Sequence, residues 1–254
     1  MGKERKLIIA GNWKMHKTVA EALGLVGALK GELANAKLVD IVVCPPFTAL
    51  CEVAKVLRNS NIRLGAQNMS EHTAGAYTGE IAAAMLQELA VSYVLLGHSE
   101  RRQYYGETDE HISRKARTAH GASLAPIVCV GETLAEREAG RMERVLETQV
   151  GGSLAGLSPA QMIKTIIAYE PVWAIGTGKT ATTEQAQEAH AFIRGLLTKL
   201  FDDATARQVR IQYGGSVRPS NARHLMSQPD VDGALVGGAS LEAQSFAEIV
   251  KNSI

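Results

Sequence analysis

Five short stretches of this chain carry side chains or backbone able to hold anions and move protons. Gly11-Asn12-Trp13-Lys14 offers an amide and a cation, and Gly97-His98-Ser99-Glu100 sets an imidazole beside a carboxylate. Tyr169-Glu170-Pro171 puts one carboxylate directly after an apolar run, while Gly214-Gly215-Ser216 and Gly237-Gly238 are glycine-rich. A carboxylate ending an apolar run is partly desolvated, which raises its pKa toward that of a useful general base. Glycine lets backbone amides approach an anion closely. Each feature alone has a plainer reading. A single histidine is more often structural, a lysine or a strand-ending glutamate is often just solvated, and a glycine pair is easily a tight turn. Only a shared location would turn them into a site.

The elements around them supply that location. Eight short apolar runs recur: 7–10, 41–44, 62–65, 93–96, 126–130, 165–169, 209–213 and 233–236. Several are apolar on consecutive residues, as strands buried on both faces of a parallel sheet are. Between them lie helical patterns. Thr18-Val19-Ala20-Glu21 reads as a capping box ahead of Leu25, Leu29 and Leu33, and Leu50, Val53, Ala54 and Leu57 form the next stripe. Ile81, Ala84, Met85 and Leu89 suggest another buried face, as do Ile112, Ala116 and Ala119. Ala186, Ala189, Ile193, Leu196 and Leu200 suggest a long helix, and Phe246, Ile249 and Val250 a last one. Residues 134–150 are charged enough to be largely surface. Eight strand–helix units in 254 residues predict an α/β fold, a single closed (β/α)8 barrel domain spanning 1–254. In that fold function gathers at the carboxyl ends of the strands, where all five stretches fall, and phosphate commonly sits at the loops after strands 7 and 8.

Composition narrows the alternatives. Charges of 27 basic against 26 acidic residues argue against a general nucleic-acid binder. No uncharged apolar stretch is long enough to span a membrane, since Glu88 interrupts the best one. Three cysteines without a C-x-x-C pair suggest neither a disulfide framework nor a zinc knuckle, and with no signal-like amino terminus the cytoplasm is expected. Gly176-Thr177-Gly178-Lys179-Thr180 imitates the tail of a P-loop, but Trp173 stands where its first glycine belongs.

Taken together, Gly11–Met15, Gly97–Arg102, Ala168–Gly178, Tyr213–Val217 and Gly237–Leu241 closely resemble the triosephosphate isomerase family, over a span from Lys6 to about Val250. The resemblance implies cofactor-free, metal-free interconversion of dihydroxyacetone phosphate and D-glyceraldehyde 3-phosphate through an enediolate. It implies Glu170 as base, a neutral His98 as electrophile with its pKa lowered by a helix amino terminus, and Lys14 as a catalytic and substrate-binding cation. Asn12, Gly176, Ser216, Gly237 and Gly238 would complete the substrate site, with Glu100 supporting Lys14. It further implies a homodimer in which the 67–79 loop, including Thr78, reaches into a partner. Two other readings stay open at this point: a Schiff-base aldolase on the same kind of barrel, and a barrel that only binds sugar phosphates. The segment Pro171 to Lys179, with a restrained start, an apolar middle and glycines near its end, has the make-up of a lid.

Overall fold

The computed structural model describes residues 5–176 and 180–254. Eight parallel strands close into a barrel in sequence order: β1 Ile8–Asn12, β2 Asp40–Cys44, β3 Ile62–Ala66, β4 Tyr93–Leu96, β5 Ala125–Val130, β6 Ile166–Tyr169, β7 Arg210–Tyr213 and β8 Gly233–Val236. Closure is made by β1, which pairs with β2 through Ile8↔Asp40 and with β8 through Ile8↔Gly233. Each expected run is a strand within a residue or two. Asn12 is the last residue of its strand rather than part of the following loop.

Alternation along these strands divides the core in two. Ile8, Ala10, Val42, Cys44, Leu95, Ile127, Cys129, Ile166, Ala168 and Leu235 pack together as one cluster, the filled interior of the barrel. Their strand neighbours, such as Ile9, Val43, Leu96, Val128 and Ile167, belong to a second cluster with the apolar faces of the helices. The interior leaves little room: a Cβ on Gly65 would fall 2.5 Å from Cys44 Sγ. Buried Gln212 donates its Nε2 there to the Ile8 and Ala234 carbonyls.

The helices follow the expected stripes with two exceptions. Thr18 caps the Val19–Leu33 helix with Glu21 in a complete capping box, and Leu25, Leu29 and Leu33 are buried. Charged residues 134–150 form short surface helices that still bury Met142, Leu146 and Val150. The predicted Ile81/Ala84/Met85/Leu89 face holds only in part: Ile81 and Leu89 flank the Ala83–Glu88 helix and pack partly buried against the core, but the helix itself turns Ala83 and Leu86 inward instead of Ala84 and Met85. Met85 is left 55 % exposed. Leu200, the last residue of Thr183–Leu200, is also exposed. Among the described residues no helix is long and apolar enough to cross a membrane.

Candidate active site

The carboxyl ends of the strands surround an open cleft of about 390 Å³. Asn12, Lys14, His98, Glu170, Gly176, Ser216, Gly237 and Gly238 all line it, so residues more than 200 positions apart in the chain share one wall. Glu100 and Thr78 do not line it. Glu100 stands behind Lys14, accepting from Nζ at 2.6 Å. Thr78 lies in an exposed loop between β3 and the Ala83–Glu88 helix.

Lys14 is held from three sides. Its backbone adopts a left-handed φ of 52°, uncommon for a side chain of this size. Asn12 Oδ1 accepts the Lys14 N–H at 3.0 Å, and Gln67 Nε2 donates to the Lys14 carbonyl at 2.8 Å and to that of Cys44 at 2.9 Å. The unusual conformation is thus over-determined by its neighbours, as strained residues at functional sites are. With its oxygen so engaged, Asn12 has its NH₂ left as the group to offer a ligand. Gln67 directly follows β3, at the carboxyl end the sequence reading points to, but its hold on Lys14 was not expected.

His98 precedes the Ser99–Tyr105 helix and is 5 % exposed. Its Nδ1 accepts the Glu100 N–H at 3.2 Å, which leaves the proton of the neutral ring on Nε2. That nitrogen stands 3.0 Å from Glu170 Oε1. The other carboxylate oxygen of Glu170 accepts the Ser99 N–H at 2.8 Å. Glu170 itself is 2 % exposed, and its backbone N–H donates to Val130 O at 2.7 Å. Two glycines make its seat possible. A Cβ on Gly131 would lie 1.8 Å from the Glu170 carbonyl oxygen, and one on Gly214 would lie 2.8 Å from Glu170 Cγ. Gly214 lies inside a motif the sequence singles out, whereas Gly131, directly after β5, is a signal that reading passed over.

Both predicted pKa directions need correction. Burial does push Glu170 upward, as the apolar run implied, but His98, the Ser99 amide and Lys14 together outweigh it and hold the carboxylate below its ordinary value. For His98, burial favours the neutral ring, yet the charge and hydrogen bond of Glu170 lift its pKa above the ordinary imidazole value. The helix amino terminus does touch the ring as expected; the carboxylate on its other nitrogen is the stronger influence. Sequence spacing could not reveal that the two residues face each other.

The segment after Glu170 begins with a short 3₁₀ turn, Val172–Ala174. Trp173 Nε1 donates to Glu132 Oε1 at 2.8 Å, and buried Glu132 also accepts from the Tyr169 hydroxyl. Ala174, Ile175 and Gly176 reach the cleft, and Gly176 takes a φ of 68°. Residues 177–179 of the expected lid and of the P-loop look-alike lie outside the described residues.

A family model described as triosephosphate isomerase matches residues 7–253. The chain is 58 % identical over 250 residues to the triosephosphate isomerase of Carboxydothermus hydrogenoformans, covering 98 % of this chain and 100 % of that protein. It is 55 % identical to that of Endomicrobium trichonymphae, across 98 % and 99 % of the two chains. Against the Herpetosiphon aurantiacus enzyme of the same name the identity is 58 %, across 97 % and 99 %.

Proposed function

The chain belongs to the triosephosphate isomerase family, and from that premise we propose how the residues of its cleft carry the reaction. The protein is an enzyme, an aldose–ketose isomerase, and its substrates are dihydroxyacetone phosphate and D-glyceraldehyde 3-phosphate. The observation that supports the residue roles best is the Glu170–His98 pair, 3.0 Å apart in a cleft walled by glycine backbone and Lys14.

The phosphate lies against Gly176, Ser216, Gly237 and Gly238, where the three glycines, lacking side chains, let backbone amides come close. Substrate carbonyl oxygen then takes the Nε2 proton donor of His98 in place of Glu170 Oε1. This exchange does two things. It polarises the carbonyl, and it removes one of the contacts that held the Glu170 pKa down, so that burial raises the basicity of the carboxylate as substrate arrives. Glu170 removes the proton alpha to the carbonyl, and the charge that develops on oxygen meets His98 N–H, the Asn12 amide and the Lys14 ammonium. Glu170 returns its proton to the neighbouring carbon while His98 moves protons between the two oxygens. Atoms and electrons balance within the substrate, so the reaction needs no added redox partner.

Lys14 serves as a fixed charge in this scheme. Its Nζ is engaged by Glu100 at 2.6 Å, whereas a Schiff-base aldolase needs an unencumbered amine to attack the carbonyl. The active unit is a homodimer in the cytoplasm, acting in glycolysis and gluconeogenesis. Exposed Met15, Phe47, Tyr77 and Met85 follow the adjacent strands β1, β2 and β3, an apolar surface that a second copy would cover. Three free thiols suit a reducing compartment.

The deciding assay adds glyceraldehyde 3-phosphate to purified protein without cofactor and with a chelator, and follows dihydroxyacetone phosphate. Conversion at enzymic rates is expected; binding without conversion would leave only a sugar-phosphate binder.

A further inference from the structure

We infer that Arg102 is a positioning residue for this reaction: its guanidinium ties the strand end that carries His98 to the strand end on which Glu170 rests. The inference builds on the roles of His98 and Glu170 given above. Arg102 touches neither of those side chains and does not line the reaction cleft. It borders a second cavity, of about 290 Å³, which shares Glu170 with the first.

Each arm of the fork has its own acceptor. Arg102 Nε donates to the Gly97 carbonyl at 2.8 Å, and NH2 donates to the Cys129 carbonyl at 3.0 Å. Gly97 immediately precedes His98, and its carbonyl belongs to the peptide group whose nitrogen is that of His98. Its φ of 69° and the close approach a Cβ would make to Ile112 Cδ1 would strain any other residue there. The opposite end of Gly97 is held as well, since its N–H donates to Glu107 Oε2 at 3.1 Å. The peptide groups on both sides of Gly97 are thus held, one at its N–H and the next at its C=O, and the imidazole that follows inherits the orientation of that backbone.

The second arm acts on the base. Cys129 lies in β5, one residue before Val130, whose carbonyl accepts the Glu170 N–H at 2.7 Å. Gly131 then packs against the Glu170 carbonyl. Fixing the Cys129 carbonyl therefore fixes the ledge under Glu170. The remaining contacts anchor the guanidinium itself: NH1 donates to Asp109 Oδ1 at 2.5 Å and NH2 to Ser153 Oγ at 3.1 Å, while Ser153 Oγ donates to the same Asp109 oxygen at 2.9 Å. Asp109 and Ser153 belong to two different helices outside the barrel, Asp109–Gly121 and Met142–Ser153. Only a planar group with divergent donors reaches all four acceptors at once; an ammonium cannot.

The test separates positioning from general support. Arg102→Lys should lower kcat by about 10- to 100-fold, because roughly 1 Å of misplacement costs about 10²-fold. KM and the Kd for glycerol 3-phosphate should stay within about twofold, since the phosphate wall is untouched. The ring nitrogen resonances of His98 should move in the same variant. In Arg102→Ala, methylguanidinium should restore kcat at least about tenfold, and ammonium should not, because only the former reproduces the fork. Should Arg102→Ala fail to fold, Asp109→Asn supplies a milder loosening of the same anchor and should show the same selective fall in kcat. A folded Arg102→Lys protein with parental kcat overturns the inference. So does a loss shared equally by kcat and glycerol 3-phosphate binding with His98 resonances unmoved. The separate Glu170→Gln variant keeps the two questions apart: turnover surviving there refutes the base assignment, while turnover surviving only in the arginine variants refutes Arg102 alone.

Discussion

Glu170 illustrates how one carboxylate can be buried and still ionised. Desolvation alone would raise its pKa, yet His98, the Ser99 amide and Lys14 bring it below the ordinary value. The linkage follows in sign. A carboxylate whose pKa is lowered on folding stabilises the native state above its unfolded value of 4.5, and that contribution disappears as pH falls through the lower native value. His98 behaves oppositely: its raised pKa contributes stability below 6.5, and the contribution is lost as pH rises through the higher native value. Two expectations belong here. Glu170→Gln should reduce kcat by about 10² to 10⁴, some 3–5 kcal/mol of transition-state stabilisation, while phosphate-analogue binding barely changes. More than about a tenth of parental turnover in that variant would mean that another residue is the base. The same substitution removes the main influence raising His98, so NMR titration of its ring should shift to lower pH than in the parent. An unmoved titration would show that the carboxylate does not set the charge of the imidazole.

At the scale of elements, the segment after β6 combines features of a lid. Pro171 restrains its start, Trp173 is hydrogen-bonded to buried Glu132, and Ala174, Ile175 and Gly176 reach the cleft. Such a segment moves as a unit and excludes water once shut. The chemistry gives it a purpose, because an enediolate next to a phosphate ester expels phosphate when solvent and conformation allow. Deleting residues 173–177 should leave the barrel folded, cut isomerisation strongly, and divert intermediate to methylglyoxal and inorganic phosphate. Proton and phosphorus NMR on the reaction mixture reads both products. Turnover equal to the parent's, without extra methylglyoxal, would make this an ordinary loop.

For the whole molecule, large apolar side chains are exposed in the segments that follow the adjacent strands β1, β2 and β3. Met15 is 94 % exposed directly after Lys14, and Phe47, Tyr77 and Met85, which follow β2 and β3 in the chain, are exposed as well. Gln67 links the base of the long 67–82 connection to the Lys14 carbonyl, so whatever covers that connection also bears on Lys14. Removing residues 73–77 should give monomers by sedimentation and a marked loss of activity, because Lys14 would lose support. Monomers with full activity would show that the partner adds nothing to the site.

Much of this was open to reading in one dimension. The eight strands are short, consecutive apolar runs because they are buried on both faces, and that pattern with its helical spacers leads directly to a closed parallel barrel. The barrel's polarity then gathers Asn12, Lys14, His98, Glu170, Ser216 and the glycine pairs at one end, since every strand runs the same way. What spacing along the chain could not express was which groups face one another. The 3.0 Å approach of His98 to Glu170 inverts the expected pKa shift of each. The Gln67 support of Lys14, the Gly131 seat under Glu170 and the Arg102 fork join strands far apart in sequence. The misassigned Met85 face has the same origin, because helical periodicity reports an apolar stripe without saying whether a barrel or open surface lies against it. Residue type and order determine the elements and the inventory of the site; distances between those elements are set only when the barrel closes, and electrostatics depends on those distances.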